Sequence, residues 1–335
     1  MSEEAAMARA GISAHSSAEP APAAAPSGAR VLAVVVSYQP EPQQLAQLCA
    51  SLDEQLSHTL LVDNGSGAGL PAEYDPGRLS VLVLGENHGI GHAQNQGLAW
   101  ALTRDFSHLL LLDQDSLPAS GMVDALLAAE AQLIAQGIAV AAVGPCPVSG
   151  ETRQAESFAL HPEPGAESSI GGLERVRYLH ASGTLVRLEV MTAVGGMDGS
   201  LFIDLVDMEW CFRAAALGRY CFGVAAARLY HQVGWKQRLG FGPLSRRISV
   251  HPPLRSYYQL RNSLLLFRKR WVPKSWLCSY TMRKVLLRCM VLLLVAPGRR
   301  QRWIFLLRGI WDGLTGVRGP YRYGRHGRAR QQGCI

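Results

Sequence analysis

The chain has 335 residues, with 33 Lys and Arg against 26 Asp and Glu, a formal net charge of +7 and 48% apolar residues. That length allows one large α/β domain with appendages or two modest domains, and the apolar share supports a sizeable core. Its seven cysteines (49, 146, 211, 221, 278, 289 and 334) show no CxxC spacing. This argues against a zinc site or a disulfide framework and for reduced thiols in a cytosolic compartment.

Residues 1–29 are rich in Ala, Pro, Ser and Gly and lack a basic start followed by an apolar run. They read as a disordered tail, not a signal peptide. Val31 to Tyr38 is then a continuous apolar run ending in a polar pair, followed by a helical segment to about Ser57. Further strands are predicted at Thr59–Val62, Leu79–Leu84, His108–Leu112 and Ala139–Val143, with helices over His92–Thr103 and Val123–Ala135. Continuous rather than alternating apolar runs mark strands buried on both faces, hence a mostly parallel sheet. Strand–helix alternation makes it Rossmann-like, with helices on both faces. Ligands of such sheets sit beyond the carboxyl ends of the strands. Ser37, Asp63, Asn64, Asn87, Asp113 and Asp115 cluster at those ends.

A dinucleotide fingerprint needs G-x-G-x-x-G at the first strand–helix turn. That turn is Ser37-Tyr38-Gln39-Pro40, and no Walker A sequence occurs elsewhere. NAD and ATP enzymes are disfavoured. Asp113-Gln114-Asp115 instead ends an apolar strand on the ligand side, where two carboxylates suit a hard divalent cation bridging a diphosphate. The plain alternative is a solvated strand-to-turn pair. Asp63 is placed to accept hydrogen bonds from a base or ribose, or to form an Asx turn. Asn87, with Gly89 and Gly91, offers donors to phosphate or sugar hydroxyls near a helix start, or caps that helix. Asp204, Asp207 and Glu209 lie beside apolar neighbours and Trp210. They read as a general base of raised pKa, or as the acidic start of a helix. His231 is a candidate to complete a metal shell, although a lone histidine is more often structural.

From Lys236 onward the chain holds 22 Lys and Arg against one acid, Asp312. Trp and Leu interleave with these charges, favouring an anionic membrane surface over nucleic acid as partner. No run reaches the ~18–20 apolar residues of a spanning helix. The nearest, Val285 to Pro297, is broken by Arg288 and suits a helix lying in the membrane interface or a buried one.

Taken in order, these segments resemble the bacterial rhamnosyltransferases of glycosyltransferase family 2. The matching pieces are Val-Val-Val-Ser-Tyr (34–38), Val-Asp-Asn-Gly-Ser (62–66), Glu-Asn-His-Gly-Ile-Gly-His-Ala-Gln-Asn-Gln-Gly (86–97) and Leu-Leu-Asp-Gln-Asp-Ser (111–116). Ser-Gly-Thr-Leu (182–185), Leu-Phe-Ile-Asp-Leu-Val-Asp-Met-Glu-Trp-Cys-Phe-Arg (201–213), Arg-Ser-Tyr-Tyr-Gln-Leu-Arg-Asn (255–262) and Trp-Asp-Gly-Leu-Thr-Gly (311–316) follow. The resemblance implies a GT-A domain over 30–235 and a basic, helical 236–335 region for acceptor and membrane-surface contacts. It further implies dTDP-L-rhamnose as donor, Mg²⁺ or Mn²⁺, and inversion at the anomeric carbon. Asp63 would then contact nucleotide, as would Ser37 and Asn87 at the neighbouring strand ends. Asp113 and Asp115 would hold metal and diphosphate, with His231 as a further metal ligand. Asp207 would deprotonate the acceptor, while Glu209 and Trp210 would shape the sugar or acceptor site. The implied acceptor is a lipid-linked glycan, of O-antigen or exopolysaccharide type, at the cytoplasmic membrane face. A rhamnolipid-forming transferase acting on a small amphiphilic acceptor and a non-catalytic nucleotide-sugar binder are the competing readings. No nucleic-acid partner is expected.

Overall fold

The computed structural model describes residues 28–67, 77–150, 169–231, 252–287 and 298–322, with shorter stretches between these spans. The first half folds as strand–helix units: β1 (Val31–Ser37), α1 (Pro42–Asp53), β2 (His58–Asp63), β3 (Leu79–Val83), α2 (Ile90–Leu102), β4 (His108–Asp113), β5 (Ser116–Pro118), α3 (Met122–Ala135) and β6 (Val140–Ser149). The predicted elements recur there, with β6 running on to Ser149, past the predicted end at Val143. β3, β2, β1 and β4 run side by side in parallel. All seven residues of β1 are buried. Leu32, Val34 and Val36 join one core cluster and Val31, Ala33 and Val35 another. The alternation of a strand thus feeds two helical layers, which is why the apolar run is unbroken.

Beyond β4 the sheet becomes mixed. β9 (Leu185–Arg187) pairs antiparallel with β4 and β6, and β6 runs parallel to β10 (Tyr220–His231). β8 (Leu173–Val176) and β5 both pair antiparallel with β10, and β7 (Ser169–Ile170) lies beyond β8. Helices α4 (Leu188–Val194) and α5 (Val206–Ala216) cover this half, with a single 3₁₀ turn at Gly199–Leu201 between them. A two-stranded ribbon, β11 (Lys236–Leu239) with β12 (Arg246–Ser249), precedes the C-terminal helices.

These are α6 (Pro253–Leu266), α7 (Lys274–Tyr280), whose end continues as a π turn to Leu286, and α8 (Arg299–Thr315). They share the packing of the sheet's core. Leu265, Leu266, Val272 and Leu277 join the cluster that contains Leu32 and Val34, and Phe202 packs with Leu254, Tyr257, Tyr258 and Phe305. Among the described residues no helix is long and apolar enough to cross a membrane.

Candidate active site

The polar strand ends converge as the sheet predicts. Asp113 closes β4, and its backbone N–H donates to Ser182 Oγ over 3.2 Å. The middle residue of the acidic triplet has its own task. Gln114 Oε1 accepts from Tyr38 N at 2.6 Å and its Nε2 donates to Tyr38 O at 3.2 Å. Gln114 therefore ties the turn after β1 to the turn after β4, leaving the flanking carboxylates half-buried at the sheet's edge. Asp63 ends β2, and its Oδ1 accepts from the N–H of Ser66 at 3.0 Å and from the Ser66 hydroxyl, so the Asx turn is present. Ser37 is buried at the end of β1 and its carbonyl accepts from Asn64 N at 2.8 Å. Asn64 in turn donates to Asn87 Oδ1 at 3.1 Å, which also receives Gly89 N at 2.9 Å ahead of α2.

On the far side of the edge stands Asp207, in the first turn of α5. Its Oδ1 accepts from its neighbour Met208 N at 2.8 Å, while Oδ2 accepts from His180 Nδ1 and Ala181 N, both at 3.3 Å. Burial alone would raise this carboxyl's pKa, but the hydrogen bonds and charge of His180 and the two backbone N–H groups outweigh it and hold it below the usual carboxylate range. The raised pKa expected from apolar neighbours is thus corrected to a lowered one, because donors converge on the group. A carboxylate only accepts, so the His180 proton sits on Nδ1 and Nε2 is unprotonated in the neutral ring. That imidazole is 66% exposed.

One turn holds both halves of the site. His180 and Ala181 hold Asp207, and Ser182 Oγ meets Asp113 N and lies 2.6 Å from Ser116 Oγ. Gly183 N and Thr184 O then bond to β4 through Leu111, at 2.7 and 2.9 Å. Half-buried Tyr178, Trp276 and Tyr280 form an aromatic wall beside it, with ring centroids 5.7 Å apart for the first pair and 5.1 Å for the stacked second. Burial and then the nearby Asp204 and Asp207 charges push the Tyr280 hydroxyl pKa up.

Residues 33–190 match the Glycosyl transferase family 2 profile. Over 302 residues the chain is 28% identical to the dTDP-rhamnosyl transferase RfbF of Shigella flexneri, covering 88% of this chain and 98% of that protein. The chain carries a family 2 glycosyltransferase domain. Solved structures agree on the fold: S. aureus TarS superposes with a TM-score of 0.56 at 14% identity, covering 86% of this chain and 49% of that one. GalNAc-T7 with UDP, GalNAc and Mn²⁺ gives 0.51 at 14% identity, over 76% of this chain and 54% of that one. This chain therefore spans only about half the length of either structure.

In this glycosyltransferase two of the residues expected to touch a ligand are interior instead. Glu209 is 0% exposed, and its carboxylate accepts from Lys269 Nζ at 2.8 Å, Trp271 Nε1 at 3.0 Å and Arg213 at 3.0 and 3.2 Å. Such a buried carboxylate is tolerated because both oxygens have donors and two cations face it, and its role is to lock α5 to the segment after α6. Trp210 is buried in the main core and donates to Gly195 O at 2.9 Å. His231 ends β10 in register with Ser116, one residue past Asp115, but its side chain lies outside the described residues. Among the described residues no group of three or more His, Cys, Asp or Glu is placed to hold a metal. The two hard carboxylates Asp113 and Asp115 still fit Mg²⁺ or Mn²⁺, which commonly take one or two protein carboxylates and complete their shell with substrate phosphates and water.

Sequence reasoning missed His180, Gln114, Arg255 and Asn262. Arg255 forms a forked pair with Asp204 at 3.1–3.2 Å, and only the Arg-Ser-Tyr-Tyr-Gln-Leu-Arg-Asn piece (255–262) points to this part of α6. The loop they serve is strained: Phe202, Asp204 and Leu205 all have positive φ, at 69°, 63° and 66°. It also explains Gly89, which has φ 87° and where a Cβ would lie 2.4 Å from Phe202 O. Gly89→Ala is expected to destabilise the protein by about 3 kcal/mol through strain and clash together, seen as a lower chemical-denaturation midpoint. An unchanged midpoint would show that the helix start does not press on this loop.

Proposed function

We propose that the chain is an inverting, metal-dependent transferase that moves L-rhamnose from dTDP-L-rhamnose to a hydroxyl of a lipid-linked glycan. The observation that carries the reading is the 180–184 turn, which fixes an ionised Asp207 on the same edge as Asp113 and Asp115. The donor sugar is supported by likeness to the Shigella flexneri enzyme along nearly its whole length.

Donor pyrophosphate would sit over the strand ends, with Asp63, Ser37 and Asn87 on the nucleotide side. Asp113 and Asp115 would hold the cation, with His231 as a further ligand. Bound there, the metal supplies neutralisation of the negative charge on the departing nucleoside diphosphate. Asp207 accepts the acceptor hydroxyl proton as that oxygen bonds to the anomeric carbon and the carbon–phosphate-oxygen bond breaks. A single displacement of this kind needs one base and inverts the centre. The wall of Tyr178, Trp276 and Tyr280 suits the apolar face of an acceptor sugar. The basic 236–335 region would work at the anionic inner face of the cytoplasmic membrane as a peripheral element.

A panel of nucleotide sugars followed by mass spectrometry tests the donor, and a chelator arm tests the metal. Turnover is expected with dTDP-L-rhamnose alone, to fall at least ~10²-fold in chelator, and to return with Mg²⁺ or Mn²⁺. Full turnover in chelator would remove the metal from the proposal, and turnover of another sugar nucleotide in its place would remove rhamnose.

A further inference from the structure

α8 has two apolar faces. The inner one packs on α6, bringing Gly309 and Gly313 against the backbone of Tyr257 and Arg261 and burying Phe305 and Leu306. The outer one is bare: Trp303, Leu307 and Trp311 are 50%, 61% and 63% exposed, and Ile304, Ile310 and Leu314 are exposed with them. At 3.6 residues per turn these six side chains share an arc of about 120°. An ordinary surface helix buries one stripe and turns polar residues outward. Here, apart from exposed Arg299 and Arg300 at the helix start, the polar strip shrinks to Gln301, Arg308 and Thr315, spaced seven apart.

The neighbouring helical segment after α7 adds exposed Met282, Leu287 and Met290, while its other side meets Leu260 and Leu306 through Val285, Cys289 and Leu293. The expected interfacial stretch, Val285 to Pro297, is therefore divided: Val285, Cys289 and Leu293 turn inward, Leu287 and Met290 face outward, and the larger part of the outward-facing apolar surface lies on α8.

The charge around this surface selects its occupant. Exposed Arg299 and Arg300 open α8, exposed Arg318 and Arg322 follow it in the chain, and exposed Arg283 lies on the neighbouring helical segment. The sole acid after Lys236, Asp312, is buried, with Tyr257 Oη donating to it at 2.8 Å and Arg308 Nε at 3.0 Å. An apolar arc with tryptophans, with arginines at both ends of its helix and no exposed carboxylate on it, has the chemistry of the lipid headgroup boundary.

We propose that the outer face of α8 is an in-plane docking surface for an anionic lipid bilayer. The inference rests on the membrane-surface reading above and adds where the contact lies and how it is made. α6 joins this helix to the loop that leads into α5 and Asp207, since Asn262 and Arg255 of α6 hold that loop. Docking would fix the height of the base above the bilayer, as a glycan whose lipid end stays in the membrane requires.

The test is vesicle flotation of the full chain with phosphatidylcholine vesicles, with and without phosphatidylglycerol. Wild type is expected to float with the anionic vesicles. The pair Leu307→Ala with Trp311→Ala is expected to bind at least about tenfold more weakly, and Leu307→Glu with Trp311→Glu more weakly still. Turnover of a short water-soluble acceptor should stay unchanged in both, because these residues lie outside the site. If wild type binds no vesicle, the membrane reading fails and this inference with it. If wild type binds and both variants bind equally, the membrane reading stands and this face is wrong. If light scattering shows a dimer that the variants convert to monomer, the face belongs to a second copy and the proposal is overturned.

Discussion

Asp207→Asn is expected to lower sugar transfer by about 10³-fold, in line with the 10²–10⁴ that a positioned base contributes, while donor affinity stays within about twofold of wild type. The substitution keeps the side chain's shape at the start of α5 but removes the only function that the reaction needs from it, a basic oxygen lone pair. Its neighbours show why the wild-type group is ready. His180 Nδ1 and the Ala181 and Met208 N–H groups hold the carboxylate ionised. Activity governed by a carboxyl with a lowered pKa is present above that pKa and is lost as pH falls through it, so the acid limb should lie below the ordinary carboxylate range. Removing His180 leaves the burial penalty with less opposition. In His180→Ala that limb should therefore move to higher pH, with wild-type turnover approached on the alkaline side. Mass-spectrometric turnover against pH, with donor binding by calorimetry, checks both points. Transfer that persists in Asp207→Asn with donor bound would remove Asp207 as the base.

The parts of this fold legible in the sequence are those whose causes are local. The unbroken apolar runs of β1 and β4 announce strands buried on both faces, and the residues just after such strands must lie at the ligand edge. What stayed hidden depends on partners far along the chain. Glu209 and Asp207 sit two positions apart in one acidic segment, yet one is fully buried against Lys269 and Trp271 while the other faces His180. Within 201–213 only Arg213, one turn after Glu209, separates them, and the other deciding donors arrive 60 residues later or 27 residues earlier. Trp210 was grouped with the acids by adjacency, but helical geometry turns it into the core. The outer face of α8 was hidden for the opposite reason: apolar residues nearly all round a helix read as burial, and only packing shows which side is covered.

Asn262→Leu is expected to destabilise the protein by about 4 kcal/mol and to cut turnover by about 10²-fold in the fraction that folds. The Asn262 side-chain amide donates to Leu201 O at 3.0 Å, Ile203 O at 2.7 Å and Asp204 O at 2.9 Å, and Arg261 fixes its orientation through Nε and a terminal nitrogen at 3.0 and 2.9 Å. Three residues of this loop hold positive φ without being glycine, a conformation costing ~1–3 kcal/mol each unless its surroundings impose it. Leucine is of similar size but donates nothing. Leu201 O would keep Arg261 at 2.7 Å, whereas the carbonyls of Ile203 and Asp204 lose this donor. The loop then relaxes toward ordinary backbone angles, and Leu205, the left-handed residue that starts α5, moves with Asp207 two positions on. A purely structural loss would lower the unfolding midpoint alone. Loss of positioning also lowers kcat at temperatures where the variant is folded, with donor KM little changed, because the donor's strand-end contacts lie on the other side of the edge. Wild-type midpoint and wild-type kcat together in Asn262→Leu would mean that the strained loop holds itself and that α6 does not place the base.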